Sequence, residues 1–321
     1  MVTRFMNHIN GVNASKNQVV YATIGAFDGV HIGHQHLVRS MVKQAQEDSV
    51  QSLVVTFHPN PAVLLRSLPL PFYVTTPSEK QSIFHQLGVD FVLDLNFTKK
   101  MAGMDPDQFI DMLLNQYSIN QLWLGKDFAL GKKRSGNLTV LREIGKEKGF
   151  SIIDCPHVED ANGKISSSEI RNWIITGNFP PTTRALNRYY SLEGKVIHGD
   201  ARGKKIGFPT ANLKIWEGKL LPTPGVYATW ITIDDKILPS VTNVGVRPTF
   251  ESTDAIPRIE AHILDFDKDI YKKQVQLHFV ENIRIEKKFN SINELIDQIQ
   301  RDARRAEEFL KNVKKQTGLF T

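Results

Sequence analysis

The sequence predicts two domains of different class: an α/β domain with a parallel sheet, then a small antiparallel barrel or sandwich closed by a helix. Three observations predict this. The 321 residues exceed one average domain. Up to about residue 176, short apolar runs alternate with longer helical stretches. Beyond the turn-forming segment Gly177-Asn178-Phe179-Pro180-Pro181-Thr182-Thr183, helical periodicity largely gives way to strand-like runs.

In the first part, the short apolar runs Val19–Ile24, Ser52–Phe57, Phe91–Leu95, Gln121–Leu124 and Ser151–Ile153 read as strands of a parallel sheet. Between them, His34–Glu47, Ser78–Leu87 and Asp105–Gln116 read as helices, the last opening with Asp105 as cap and Pro106 at the first helical position. A further helix is expected over Glu169–Thr176, after a serine run. In the second part, Tyr189–His198, Gly225–Ile233, Leu238–Val244, Arg258–Phe266 and Val275–Ile285 are separated by Gly-, Pro- and Asp-rich turns. The chain closes with a helix over Ser291–Lys311, in which Ser291 and Glu294 match a capping box. Ile292, Leu295, Ile296, Ile299, Ala303 and Ala306 form its apolar stripe. The division falls at 1–184 and 185–321.

Hydrophobic residues at 41% and charged residues at 23% suit a soluble globular protein, with no apolar run long enough to cross a bilayer. Met1 to Gln18 lacks the apolar core of a secretion signal, and the single cysteine, Cys155, has no internal partner, which together favour the cytoplasm. A net charge of +6 admits nucleic acid or phosphate-rich small molecules equally.

Chemistry concentrates in two constellations. Gly25-Ala26-Phe27-Asp28-Gly29-Val30-His31-Ile32-Gly33-His34 follows the first strand and leads into a helix. His31 and His34, one turn apart, sit beside a helix N-terminus that attracts anions, beyond the carboxyl end of a strand where open α/β sheets bind ligands. An isolated histidine pair is as readily a zinc pair or a core contact. Gly25, Gly29 and Gly33, however, permit close backbone approach, and no cysteine or carboxylate stands at a metal-site spacing. Ser166, Ser167, Ser168 and Arg171 form the second half, either an ordinary helix cap or a phosphate site with Arg171 offering paired hydrogen bonds.

At these residues the sequence resembles the bifunctional riboflavin kinase/FMN adenylyltransferases, the prokaryotic FAD synthetases, over essentially its whole length. The resemblance implies a Rossmann-like nucleotidyltransferase domain, with Gly25, Phe27, Asp28, Gly29, Gly33, His31 and His34 holding ATP phosphates and Ser166–Ser168 and Arg171 assisting. It places the flavin against Phe57-His58-Pro59-Asn60-Pro61 and Gly125-Lys126-Asp127-Phe128-Ala129-Leu130-Gly131, with Asn60, Asp127 and Phe128 in contact. Two positions depart from the family pattern: Ala26 stands for Asn, and Ser168 for Thr.

The second constellation is Gly199-Asp200-Ala201-Arg202-Gly203-Lys204-Lys205-Ile206-Gly207-Phe208-Pro209-Thr210-Ala211-Asn212. It is not a P-loop: the spacing from Gly199 to Gly203-Lys204 is one residue short, and no Ser or Thr follows the lysine. Thr210 and Asn212 face the same way on an extended backbone and offer hard oxygen ligands suited to Mg²⁺, or else form a strand-end turn. Glu260 lies on the polar face of Arg258–Ile263, and such a carboxylate is more often solvent-facing than catalytic. The Gly-x-Pro-Thr-Ala-Asn motif, with Pro224-Gly225-Val226-Tyr227, Asn243-Val244-Gly245 and Arg247-Pro248-Thr249, resembles riboflavin kinases. That resemblance implies a six-stranded barrel with Glu260 as general base, Thr210 and Asn212 organising Mg-ATP, and Gly199, Arg202, Gly203 and Gly207 around the nucleotide. Arg284 and Phe289 fall where that family closes over the flavin.

The expected substrates and products are riboflavin, FMN, FAD and ATP, with Mg²⁺ required, no membrane or nucleic-acid partner, and self-association left open. Two rivals remain at this level. One is an RNA enzyme sharing the histidine motif with class I aminoacyl-tRNA synthetases, opposed by the lack of a Lys-Met-Ser-Lys-Ser segment. The other is a flavin-binding regulator with one or both modules inactive.

Overall fold

The computed structural model describes residues 18–156, 159–160, 163–199, 203, 206–247, 256–313 and 320. Backbone contacts divide the chain into two compact units, Met1–Ser167 and Ser168–Thr321. The first contains β1 (Val19–Ile24), α1 (Ile32–Glu47), β2 (Gln51–His58), α2 (Pro61–Arg66), α3 (Pro77–Gln86), β3 (Phe91–Asn96), α4 (Lys99–Ala102) and α5 (Pro106–Leu114). It continues through β4 (Ser118–Gly125), β5 (Ala129–Leu130), β6 (Gly136–Asn137), α6 (Leu138–Lys148), β7 (Ser151–Cys155), β8 (Glu159–Asp160) and β9 (Gly163–Lys164).

Five of these strands form a parallel sheet in the order β3-β2-β1-β4-β7, with β1 central and reversing the winding direction on its two sides. Its strands are buried on both faces, as sheets covered by crossover helices require: Val20, Ala22 and Ile24 enter one core layer, Tyr21 the other. The crevice beyond the carboxyl ends of β1 and β4, where the strand order reverses, is therefore the ligand-binding position of such a sheet.

The second unit holds α7 (Ser167–Ile175), α8 (Phe179–Leu186), β10 (Tyr190–Ile197), β11 (Ala211–Ile215), β12 (Gly225–Ile233), β13 (Lys236–Arg247), β14 (Ile256–Ile263), β15 (Gln274–Ile285) and α9 (Ile292–Asn312). The strands close into a six-membered antiparallel barrel, β10-β11-β14-β13-β12-β15, which decides between barrel and sandwich. The strand not singled out by pattern is β11, a short run of five residues.

Residues 177–183, read as a turn-rich connection, instead start a helix. Proline costs a helix nothing in its first turn, where the N–H it lacks has no intrahelical partner, and α8 carries Pro180 and Pro181 there. Phe179 anchors α8 in the barrel unit, fully buried and stacked on Phe279 at 4.9 Å between ring centroids. Gly177 turns the chain between α7 and α8 at φ 71°, where a Cβ would come within 2.9 Å of the Asn282 amide.

Helix α9 forms half of the expected capping box: the Glu294 N–H donates to Ser291 Oγ, while the Glu294 carboxylate accepts from the Asn290 amide rather than that of Ser291. Its buried face matches the predicted stripe in part: Ala306 is buried, Leu295, Ile296, Ile299 and Ala303 are half-buried and Ile292 is exposed, while Asp302 and Leu310, outside the stripe, are buried. Asp302 is paired, its Oδ2 accepting from Arg284 Nε at 2.9 Å and its Oδ1 from Gln298 at 2.8 Å. Removing one partner of a largely buried ion pair leaves the other charge uncompensated. Asp302→Ala is therefore expected to destabilise the barrel unit by about 3 kcal/mol, read from urea denaturation.

Candidate active sites

In the first unit, β1 runs into a tight turn whose geometry explains its glycines. A Cβ on Gly25 would meet the Phe27 ring at 2.9 Å, and one on Gly33 would meet the His31 ring at 3.2 Å. Gly29 adopts φ 82°. Phe27 and Val30 are themselves at positive φ, an uncommon conformation for residues with a Cβ, so the surrounding structure must over-determine this turn. Asp28 does so from beneath: its buried carboxylate accepts from the Val74 and Thr75 amides, and the Gly29 amide donates to Thr75 Oγ1. Phe27 is also buried and packs edge-on against Phe84 and His34.

His31 is the N-cap residue of α1, and no acidic side chain occupies the helix's first turn. The two imidazoles stack, with centroids 3.7 Å apart and planes 22° apart. Burial first, then the neighbouring His31 and Lys80, hold the His34 pKa well below the ordinary histidine value. His34 is thus neutral at physiological pH, a hydrogen-bond donor rather than a fixed cation. The serine segment reaches this turn through Ser167, whose Oγ donates to the Asp28 carbonyl at 2.8 Å. Ser166 is half-buried and Ser168 exposed, while Arg171 lies on α7 in the second unit.

The same turn lines a cavity of about 640 Å³ through Ile24, Gly25 and Ala26, within the usual range for small-molecule sites. Asn60, Phe57, Asp127 and Phe128 also line it. Asn60 caps α2 by accepting from the Ala62 amide, and its own amide donates to Tyr73 Oη. The Asp127 carbonyl accepts from Arg134 Nη2, which ties the Gly125–Gly131 turn to the cavity wall. Pattern alone did not reveal Lys80, buried on α3 beside this turn, or Asp94 on β3, whose pKa burial raises. The available signal was a lysine at the helical spacing of Ile83 and Phe84 on an otherwise apolar face.

In the barrel, Asn212 on β11 pairs in register with Glu260 on β14, which pairs in turn with Asn243 on β13. Directly opposed residues project to one face, so the amide and the carboxylate are neighbours. Arg258, two residues away on the same strand, forms an ion pair with Glu260 at 2.8 Å. Gly199 makes room for this arrangement, since a Cβ there would fall 2.2 to 2.7 Å from the Asn212 amide group. The loop from Gly203 is closed by the Phe208 amide donating to the Gly203 carbonyl, and Gly207 adopts φ 84°. His262, two residues after Glu260 on β14, donates from Nδ1 to the Pro209 carbonyl at 2.8 Å and so fixes the residue before Thr210.

Gly199, Thr210 and Asn212 line a cavity of about 330 Å³, walled also by the stacked rings of His198 and Tyr271. Arg284 is engaged by Asp302, with its guanidinium 5.7 Å from the centre of the Phe289 ring. Arg202 lies outside the described residues, as do Asp200, Ala201, Lys204, Lys205, Pro248 and Thr249.

The two sites coincide with two family models: FAD synthetase matches residues 13–169, and riboflavin kinase matches residues 186–310. The bifunctional riboflavin kinase/FMN adenylyltransferase of Bacillus subtilis is 34% identical over 91% of this chain and 93% of its own length. That of Escherichia coli K12 is 32% identical over 95% and 97%. The chain belongs to the bifunctional riboflavin kinase/FMN adenylyltransferase family. Among solved structures, that of a macrolide-efflux protein from Streptococcus pneumoniae superimposes with a TM-score of 0.83 at 29% identity, covering 92% of this chain and 97% of that one. Among the described residues, no helix is long and apolar enough to cross a membrane.

As a member of this family the protein is a bifunctional enzyme of flavin-cofactor synthesis. The parallel-sheet unit carries the FAD synthetase match and the barrel the riboflavin kinase match.

Proposed function

We propose that the functional modules divide at 184/185 and that adenylyl transfer takes place at the His31/His34 turn. There the FMN phosphate attacks the α-phosphorus of ATP, pyrophosphate leaves, and the two imidazoles donate hydrogen bonds to phosphate oxygens as charge builds on the leaving group. The observation that carries this reading is the stacked pair at the start of α1, on a turn that also lines the 640 Å³ cavity. Ser166, Ser167, Ser168 and Arg171 assist at the phosphates. Asn60, Asp127 and Phe128 contact the flavin.

In the barrel, Glu260 removes the proton of the ribityl 5′-hydroxyl, which attacks the γ-phosphorus of ATP and releases ADP. Thr210 and Asn212 would hold Mg²⁺, which would supply charge neutralisation at the nucleotide phosphates. Their hydroxyl and amide oxygens are the hard donors Mg²⁺ prefers, and both residues line the 330 Å³ cavity. Gly199, Arg202, Gly203 and Gly207 shape the nucleotide loop, while Arg284 and Phe289 close over the flavin. Flavin and ATP are the ligands this reading requires, with no nucleic acid, and the lone Cys155 suits a reducing cytoplasm.

The test is chromatography of flavins after incubation with ATP and Mg²⁺, started in parallel from riboflavin and from FMN. FAD is expected from both. Accumulation of FMN without FAD would assign a defect to the N-terminal site and direct attention to Ala26.

A further inference from the structure

Neither constellation accounts for Lys80. Its side chain is 6% exposed, and its ammonium is held by neutral oxygens: Thr56 Oγ1 at 2.8 Å, the Phe57 carbonyl at 3.4 Å and the Ala26 carbonyl at 3.5 Å. Thr56 Oγ1 itself donates to the Ala26 carbonyl at 3.3 Å. Burying a cation without a directly paired carboxylate is costly, and an apolar side chain of similar volume would pack there more favourably. Burial accordingly pulls the Lys80 pKa down, while Asp94 and Asp28 act in the opposite sense.

What the ammonium joins is informative. Ala26 belongs to the turn that leads to His31 and His34. Thr56 and Phe57 lie near the end of β2, which leads through His58 and Pro59 to Asn60 on the flavin side of the cavity. Ala26 and Phe57 both line that cavity. Lys80 lines, with Ala26, His58 and Tyr73, a second space of about 10 Å³, room for a single water.

We propose that Lys80 is a positioning residue for FAD formation, an ammonium clamp that fixes the nucleotide turn against the flavin loop so that the FMN phosphate meets the α-phosphorus of ATP. The clamp acts on the relation between two bound substrates rather than on the binding of either one. A displacement of about 1 Å between reacting groups can cost about 100-fold in rate. The inference rests on adenylyl transfer occurring at the His31/His34 turn.

The experiment uses the full chain with Lys80→Met, which keeps the volume and removes the charge, and Thr56→Val, which keeps the shape and removes the nearest partner. For each, three quantities are measured: kcat for FAD formation at saturating FMN and ATP, Kd for FMN from quenching of its fluorescence, and the rate of riboflavin phosphorylation. Lys80→Met is expected to lower kcat about 100-fold, and Thr56→Val about 5-fold, with Kd for FMN within about 3-fold and phosphorylation unchanged. A native kcat in both variants, or a loss confined to Kd with kcat retained, overturns the clamp. Should Lys80→Met not fold, Thr56→Val decides alone by the same criteria. His34→Ala in parallel separates the two ideas. If it retains FAD formation, the site assignment fails; if it loses activity while the clamp variants keep theirs, only the clamp fails.

Discussion

Glu260→Gln is expected to lower riboflavin phosphorylation by about 1,000-fold while FAD formation from supplied FMN proceeds at the native rate. Glutamine keeps the shape and hydrogen-bonding reach of the carboxylate and cannot accept the hydroxyl proton, so the loss reports base function rather than packing. Glu260 is held opposite Asn212 and Asn243 by strand register, and by Arg258 at 2.8 Å. Release of ADP from riboflavin and ATP, measured beside conversion of FMN to FAD in one preparation, is the check. Equal loss of both activities in a folded protein would contradict separate sites.

The reciprocal result is expected of His34→Ala: FAD formation falls by about 100- to 1,000-fold, the effect of losing one preorganised donor from a site of developing charge, and riboflavin phosphorylation persists. Neutral His34 contributes directional hydrogen bonding in a place where its Nδ1 is buried and has no partner among the described residues. The loss should appear chiefly in kcat, because an interaction that strengthens as pyrophosphate departs belongs to the transition state more than to bound ATP. A variant whose defect is entirely in the KM for ATP would assign His34 to binding alone.

Much of this arrangement could be read from the chain itself. Val19–Ile24 and Gly225–Ile233 begin and end in the structure where their apolar runs do, because both are bounded by residues that cannot extend a buried strand. The histidine turn was legible because its glycines are demanded by ring contacts only a few residues away in sequence. Strand β11 was hidden: its five residues include Asn212 and Lys214, and what makes it a strand is pairing with β10 and β14 rather than its own composition. Helix α8 was masked by Pro180 and Pro181, whose usual meaning as breakers is suspended in a first turn. Lys80 was illegible for another reason. Its partners come from two other strands' ends, so its burial is a tertiary property that no local pattern encodes. Asp302 is a similar case, a carboxylate on the buried face of α9 that makes sense only once Arg284 is opposite it.

The barrel's closure also sets a timetable for biosynthesis. Tyr190 lies in register with Phe279, so the first strand of the barrel, although β11 follows it closely, waits 89 residues (279 minus 190) for its second neighbour, β15. At roughly 10 residues per second on the ribosome, that is a delay of about 9 s. The last strand of the parallel sheet, by contrast, is complete at Cys155, well before the barrel's final strand emerges. The nascent chain therefore carries a finished adenylyltransferase sheet ahead of an open kinase barrel, and a stalled or truncated product ending before β15 would retain the first fold and lack the second.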